Sequence, residues 1–79
     1  MNADWISLDR ASKGQKLIIR AIESADVRTQ IIRFGLAVGE DVVCQEKLPK
    51  GPVVVRKNRQ EIAIGRGLAQ SIQVEVVSA

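Results

Sequence analysis

Glycine and proline cut this chain into short apolar runs, and that punctuation is the strongest constraint on its fold. Gly14, Gly35, Gly39, the Pro49-Lys50-Gly51-Pro52 stretch, Gly65 and Gly67 leave room only for short strands and one helix. The runs between them are rich in Ile and Val, which favour strands. With one Trp, one Phe and no Tyr among 79 residues, the core has to be aliphatic. A chain of this length makes one domain, residues 1–79, whose core must be efficiently built.

Local patterns assign the elements. Ser7 is placed to cap a short helical turn, Leu8 to Ala11. After the turn at Lys13-Gly14, Gln15 to Glu23 alternates Leu17, Ile19 and Ala21 with Ile18, Arg20 and Ile22, a strand apolar on both faces. Ser24 or Asp26 can cap the helix that follows. Val27, Ile31 and Phe34 lie near one helical face, with Ile32 flanking, and Ile31 and Phe34 are expected in the core. Gly35 then stops the helix in the left-handed conformation, and Leu36 packs back onto it. Gly39 turns the chain into a strand over Glu40 to Lys47. Leu48 is expected to anchor the proline turn to the core. Strands over Pro52 to Lys57 and Glu61 to Ile64 meet at a hairpin turn at Asn58. A bend around Arg66 and a short helical turn lead to the last strand, Ile72 to Val77. The sum is a mainly β fold: a small SH3-like barrel of about five strands, with one α-helix and one or two short helical turns. Closure is expected because it removes exposed edges in so small a sheet.

The residue types argue against most chemistry. There is no histidine, so the commonest neutral-pH acid–base and nitrogen ligand are missing. A single Cys44 forms no internal disulfide and no Cys-based metal site, and it reads as a small filler in its strand. Asp41 and Glu46 are too far apart along one strand to converge on an ion, and adjacent Glu40 and Asp41 point to opposite faces. The chain is therefore expected to be no enzyme and to hold no tight cofactor, with no ligand set for a transition-metal ion. Gly35 to Glu40 lacks the lysine and Ser/Thr of a phosphate loop, and it follows a helix where phosphate loops precede one. Net charge is +3, from 12 basic and 9 acidic side chains well mixed along the chain. The densest basic stretch, Arg56 to Arg59, has no aromatic neighbour in sequence for base stacking. It is expected to be a solvated hairpin tip, and no nucleic acid is expected as partner. No apolar run approaches the roughly 18–20 residues that cross a bilayer. The start, Met1 to Arg10, has no basic segment leading into an apolar one. With its lone cysteine, the chain is expected in a reducing cytoplasm.

The whole chain, from about Ile6 to Val77, resembles the FeoA family of ferrous iron transport. The resemblance rests on order and spacing: the turn at Lys13-Gly14 before a strand, the corner FGLAVGEDV, the turn LPKGPVVV, and the ending IAIGRGLAQSIQVEV. Phe34 stands where the family usually has Leu, and Arg66 lies one place later than the family's arginine. The resemblance implies an SH3-like fold and an accessory or regulatory role beside the membrane GTPase permease FeoB, by protein–protein contact on its cytoplasmic side. The membrane would be met only through that partner, and even a weak association with Fe²⁺ has no ligand residues here to support it. Candidate contact residues are Arg28, Gln30, Arg33 and Ala37 on the helix and its loop, with Leu48 and Lys50 in the proline turn. Two alternatives are a generic SH3-like interaction module and a small nucleic-acid-binding barrel. The same domain type also ends metal-dependent repressors, but no helix-turn-helix pattern accompanies it here.

Overall fold

The computed structural model describes residues 5–78; the first four residues of the start, read above for a leader, lie outside them. Six strands form one antiparallel sheet: β1 (Trp5–Ser7), β2 (Lys16–Ile22), β3 (Asp41–Lys47), β4 (Val53–Lys57), β5 (Gln60–Ile64) and β6 (Ile72–Ser78). The principal helix α1 (Ala25–Arg33) joins β2 to β3, and a four-residue turn of helix, α2 (Arg66–Ala69), joins β5 to β6. Spatial order is β1-β6-β2-β3-β4-β5. The mainly β class with one main helix is as expected. Two details differ. Trp5–Ser7 adds a sixth strand against β6, and among the described residues no ladder joins β1 to β5, so hydrogen bonding leaves the sheet open.

Three bulges bend the sheet without closing it. The register slips by one residue at Arg20 in β2, at Gln45 in β3 and at Val77 in β6. Each slip lets two residues face one and adds local twist. The bulge at Arg20 also breaks the simple alternation of β2. Leu17 and Ile19 point into the core, and beyond the bulge it is Ile22, not Ala21, that is buried. One aliphatic cluster results: Val42 and Cys44 of β3, Val53 and Val55 of β4, Ile62 and Ile64 of β5, and Ile72 and Val74 of β6 join Leu17, Ile19 and Ile22. Val27 and Ile31 cover this cluster from α1. Fully burying each Leu, Ile or Val side chain stabilises the fold by about 1.5–3 kcal/mol. Leu8, in a 3₁₀ turn (Leu8–Arg10), adds to the core from the other side of β6. Ser7 precedes that turn, but its side chain makes no capping hydrogen bond; its backbone ends the β1 ladder opposite Gln73.

Candidate functional site

The corner between α1 and β3 is fixed from several directions. Ser24 is the residue that caps α1, its hydroxyl accepting from the Val27 amide at 3.4 Å. At the other end the Gly35 amide donates to the Ile32 carbonyl (2.9 Å) and the Leu36 amide to the Ile31 carbonyl (3.1 Å). This paired closure needs Gly35 at φ +90°, a conformation that side chains rarely adopt. It brings Leu36 back into the core, where it is fully buried beside Ile31. Gly39, at φ +97°, then aims its amide at the Ile19 carbonyl (2.6 Å), and Ile19 donates to the Glu40 carbonyl (3.0 Å). The corner is thereby an extension of the β2–β3 pairing.

A lysine from the hairpin completes it. The Lys57 ammonium donates to the Gly35 carbonyl at 2.8 Å and pairs with the Glu40 carboxylate at 2.9 Å. The same Glu40 oxygen accepts from the Ala37 amide at 3.3 Å. The Arg56–Arg59 tip, distant in sequence, thus borders the end of α1. Asn58 turns it at φ 57°, and Lys57 faces Gln60 across a two-residue loop. The expected solvated tip holds for Arg56, Asn58 and Arg59, which are exposed, while Lys57 is half-buried in its clasp.

Phe34 departs from expectation. It is the residue that ends α1, and it is 37% exposed rather than in the core. Phe34 is the helix's C-cap, and the glycine closure after it sends Leu36 into the core instead. Ile32 and Val38 are also exposed, at 57% and 53%. Among the candidate contact residues, Gln30, Arg33 and Ala37 are exposed. Arg28 is exposed as well, but its guanidinium donates to the Ile22 carbonyl at 3.2 Å, tying it to the end of β2.

Leu48 and Lys50 sit apart in the proline loop, and no hydrogen bond or ion pair among the described residues joins that loop to the corner. Leu48 does not anchor the loop: it is 46% exposed. The anchor is Arg66, which the sequence places only at a bend between two glycines. Its Nε donates to the Gly51 carbonyl at 3.0 Å and its Nη2 to the Leu48 carbonyl at 2.6 Å. The loop closes on itself through the Gly51 amide and the Leu48 carbonyl (3.0 Å), with Lys50 at φ 56°. A Cβ on Gly51 would lie 3.0 Å from the Leu48 Cβ, so glycine lets the turn pack this closely. Arg66 stands between two glycines in sequence; only the fold shows what its fork meets.

Neither region carries a catalytic constellation. Among the described residues no three His, Cys, Asp or Glu side chains gather where an ion could be held. Cys44 is completely buried, and burial pushes its thiol above the ordinary value, with Lys47 opposing and Glu46 adding to the rise. It packs as the small filler expected. No helix among the described residues is long and apolar enough to cross a membrane.

The comparisons with known proteins converge. The family described as FeoA domain matches residues 6–76. A protein of Methanocaldococcus jannaschii assigned as Fe(2+) transport protein A is 30% identical over 66 residues, covering 82% of this chain and 79% of that one. The crystal structure of an iron uptake regulatory protein, FeoA, superposes with a TM-score of 0.82 at 28% identity, over 90% of this chain and 96% of that one. A manganese-dependent transcriptional repressor shares the fold alone: its TM-score is 0.85 at 15% identity, with 98% of this chain matching 44% of the repressor.

Proposed function

This chain belongs to the FeoA family, and from that membership we propose that it serves ferrous iron uptake as an accessory protein, by contact with the cytoplasmic part of a FeoB-type GTPase permease. The observation that carries the reading is the extent of the family match, residues 6–76, which takes in the helix corner and the proline loop together. The role is one of docking or regulation rather than catalysis. A contact of this kind needs exposed side chains on a backbone that does not rearrange. Gln30, Arg33 and Ala37 on the clasped corner meet that need, as do Leu48 and Lys50 on the loop held by Arg66. Arg28 is the weakest of the candidates, since its guanidinium is engaged with Ile22.

The test is retention of this protein by the immobilised cytoplasmic part of the permease, comparing wild type with Arg33→Glu and Lys50→Glu. Both variants are expected to fold and to lose retention, because each reverses an exposed charge. Equal retention of wild type and both variants would remove the assigned surface while keeping the partner. Failure of wild type to bind, with ferrous uptake unchanged on deletion of its gene, would remove the partner as well.

A further inference from the structure

The free edge of the sheet at β5 keeps two residues whose backbone groups have no partner strand. Lys57 and Gln60 face each other across a two-residue loop, so they bond to each other. Bonded and non-bonded pairs alternate along an antiparallel ladder. Ile62 and Ile64 therefore direct their amides and carbonyls at Val55 and Val53, while those of Glu61 and Ala63 point away from β4. Among the described residues, no other strand or loop backbone takes up those outward groups. Glu61 and Ala63 are exposed, whereas Ile62 and Ile64 are buried. Natural edges are blunted by lysine, proline, bulges or short length. β5 has none of these: its five residues pair with β4 in unbroken register, while the bulges fall in β2, β3 and β6. The opposite edge strand, β1, is only three residues long.

The strand that fits this edge is a second copy of itself. A two-fold axis through Ile62 pairs Glu61 with Ala63 of the second copy, and Ala63 with Glu61 of that copy. Both are bonded pairs, so every outward amide and carbonyl of the two residues finds a partner. Each row of the outer face then reads Arg56, Glu61, Ala63, Val54, the last two from the second copy. Glu61 keeps Arg56 as its neighbour on one side and meets only a methyl group on the other. Its mate Glu61 lies on the diagonal, roughly 7–8 Å away. Other registers are worse. An axis at Glu61 sets two carboxylates directly opposite, which is destabilising. An axis at Ala63 puts Glu61 against Gly65, where the strand has ended and α2 begins. The seam stops at Gln60, because Arg59 lies in the hairpin turn. So short a seam belongs with the small interfaces of weak, concentration-dependent association.

We infer that β5 is a self-association edge: two copies join antiparallel about Ile62, through the amides and carbonyls of Glu61 and Ala63, into one continuous sheet. The inference is independent of the permease reading, because neither Arg33 nor Lys50 lies on β5. It is tested on the ¹⁵N-labelled protein by NMR and sedimentation equilibrium between about 20 µM and about 2 mM, where weak dimers assemble. The expected result is a monomer at the low end and a dimer at the high end. Amide shifts should centre on Glu61, Ile62 and Ala63, and exchange of the Glu61 and Ala63 amides should slow as concentration rises. In a mixed ¹³C/¹²C sample, an intermolecular NOE between Ile62 α-protons fixes the axis, since residues of a non-bonded pair approach most closely. Ala63→Lys sets a lysine opposite each Glu61 and should tighten the dimer about threefold, whereas Ala63→Glu should weaken it about threefold or more. Ala63→Pro removes the outward amide without touching the β4 ladder and should abolish the dimer. Should that variant fail to fold, the Lys and Glu variants read the same register. A chain still monomeric at about 2 mM would leave the edge to solvent or to a strand of another protein, and would overturn the inference. So would shifts centred away from β5, equal affinities of the Lys and Glu variants, or a dimer that persists in a folded Ala63→Pro variant.

Discussion

The corner after α1 and the proline loop after β3 are both displayed turns held by one cation that donates to backbone carbonyls, yet they are built on different foundations. Lys57 clasps a corner that is already anchored: Leu36 is buried, and Gly35 and Gly39 close backbone hydrogen bonds to the helix and to β2. Arg66 clasps a loop whose one large apolar residue, Leu48, faces solvent. The corner draws on the core for its shape, and the loop draws on a guanidinium. A displayed surface can therefore be made firm in two ways, and the two should fail differently.

The largest expected effect separates the two leucines. Leu36→Ala removes a fully buried side chain and should cost about 2–5 kcal/mol in denaturant unfolding, through lost burial and the cavity left behind. Leu48→Ala, at an exposed position, should stay within about 0.5 kcal/mol of wild type. Similar losses for the two would mean that Leu48 packs against the core after all, and the contrast between corner and loop would collapse.

A middle-sized effect concerns the left-handed residues. Gly35 sits at φ +90°, beyond the narrow left-handed well of side-chain-bearing residues, whereas Lys50 sits at φ 56°, within it. Space around Gly35 is open: a Cβ added there would have only Gln60 Oε1 nearby, at 3.9 Å, so any cost is conformational. Gly35→Val should lower stability by about 1–2 kcal/mol or more, read from thermal unfolding. Lys50→Gly should change it little, since roughly 1 kcal/mol of relieved strain is offset by the added freedom of the unfolded chain. An unchanged unfolding temperature for Gly35→Val would count against the helix-cap geometry that supports the corner.

The same contrast explains what the sequence made legible. The corner could be read in advance because its rules are local: a serine before the helix, an apolar residue, glycine, an apolar residue, then a second glycine. Ser24, Gly35 and Leu36 bond within a few residues of themselves, and Gly39 announces its turn by its own left-handed φ even though its amide reaches Ile19. Strand positions were readable for the same reason, wherever alternation ran unbroken, as in Ile72 and Val74. What failed to show was either a bulge or a distant partner. The extra residue at Arg20 moves Ile22 to the core, and no two-residue period carries that information. Phe34 was misplaced because a helical period cannot tell which apolar residue the cap will admit. Lys57 reaches Gly35 across 22 residues of chain, and Arg66 reaches Leu48 across 18. Cross-strand rows such as Lys16, Val43 and Arg56 exist only once the register is known. Among the candidate contact residues, the split between the helix corner and the proline turn was visible from the start, while their exposure emerges from the fold.

The smallest global effect sharpens the comparison most. Arg66→Met keeps an unbranched apolar stem and removes both donors to the Leu48 and Gly51 carbonyls. Those carbonyls lie in an exposed turn where water can replace the guanidinium, so global stability should fall by only about 1 kcal/mol or less. Locally the change should be plain. Without its clasp the loop has no buried side chain to hold it, so resonances of Leu48, Lys50 and Gly51 should shift and broaden, and exchange of the Gly51 amide should accelerate. Amides of Gly35, Leu36 and Gly39 should stay where they are, because that corner rests on the core. Movement at both regions would mean that they act as one coupled surface despite having no direct hydrogen bond. Movement at neither would mean that the close turn at Gly51 holds the loop by backbone geometry alone, and that Arg66 is a passenger rather than its anchor.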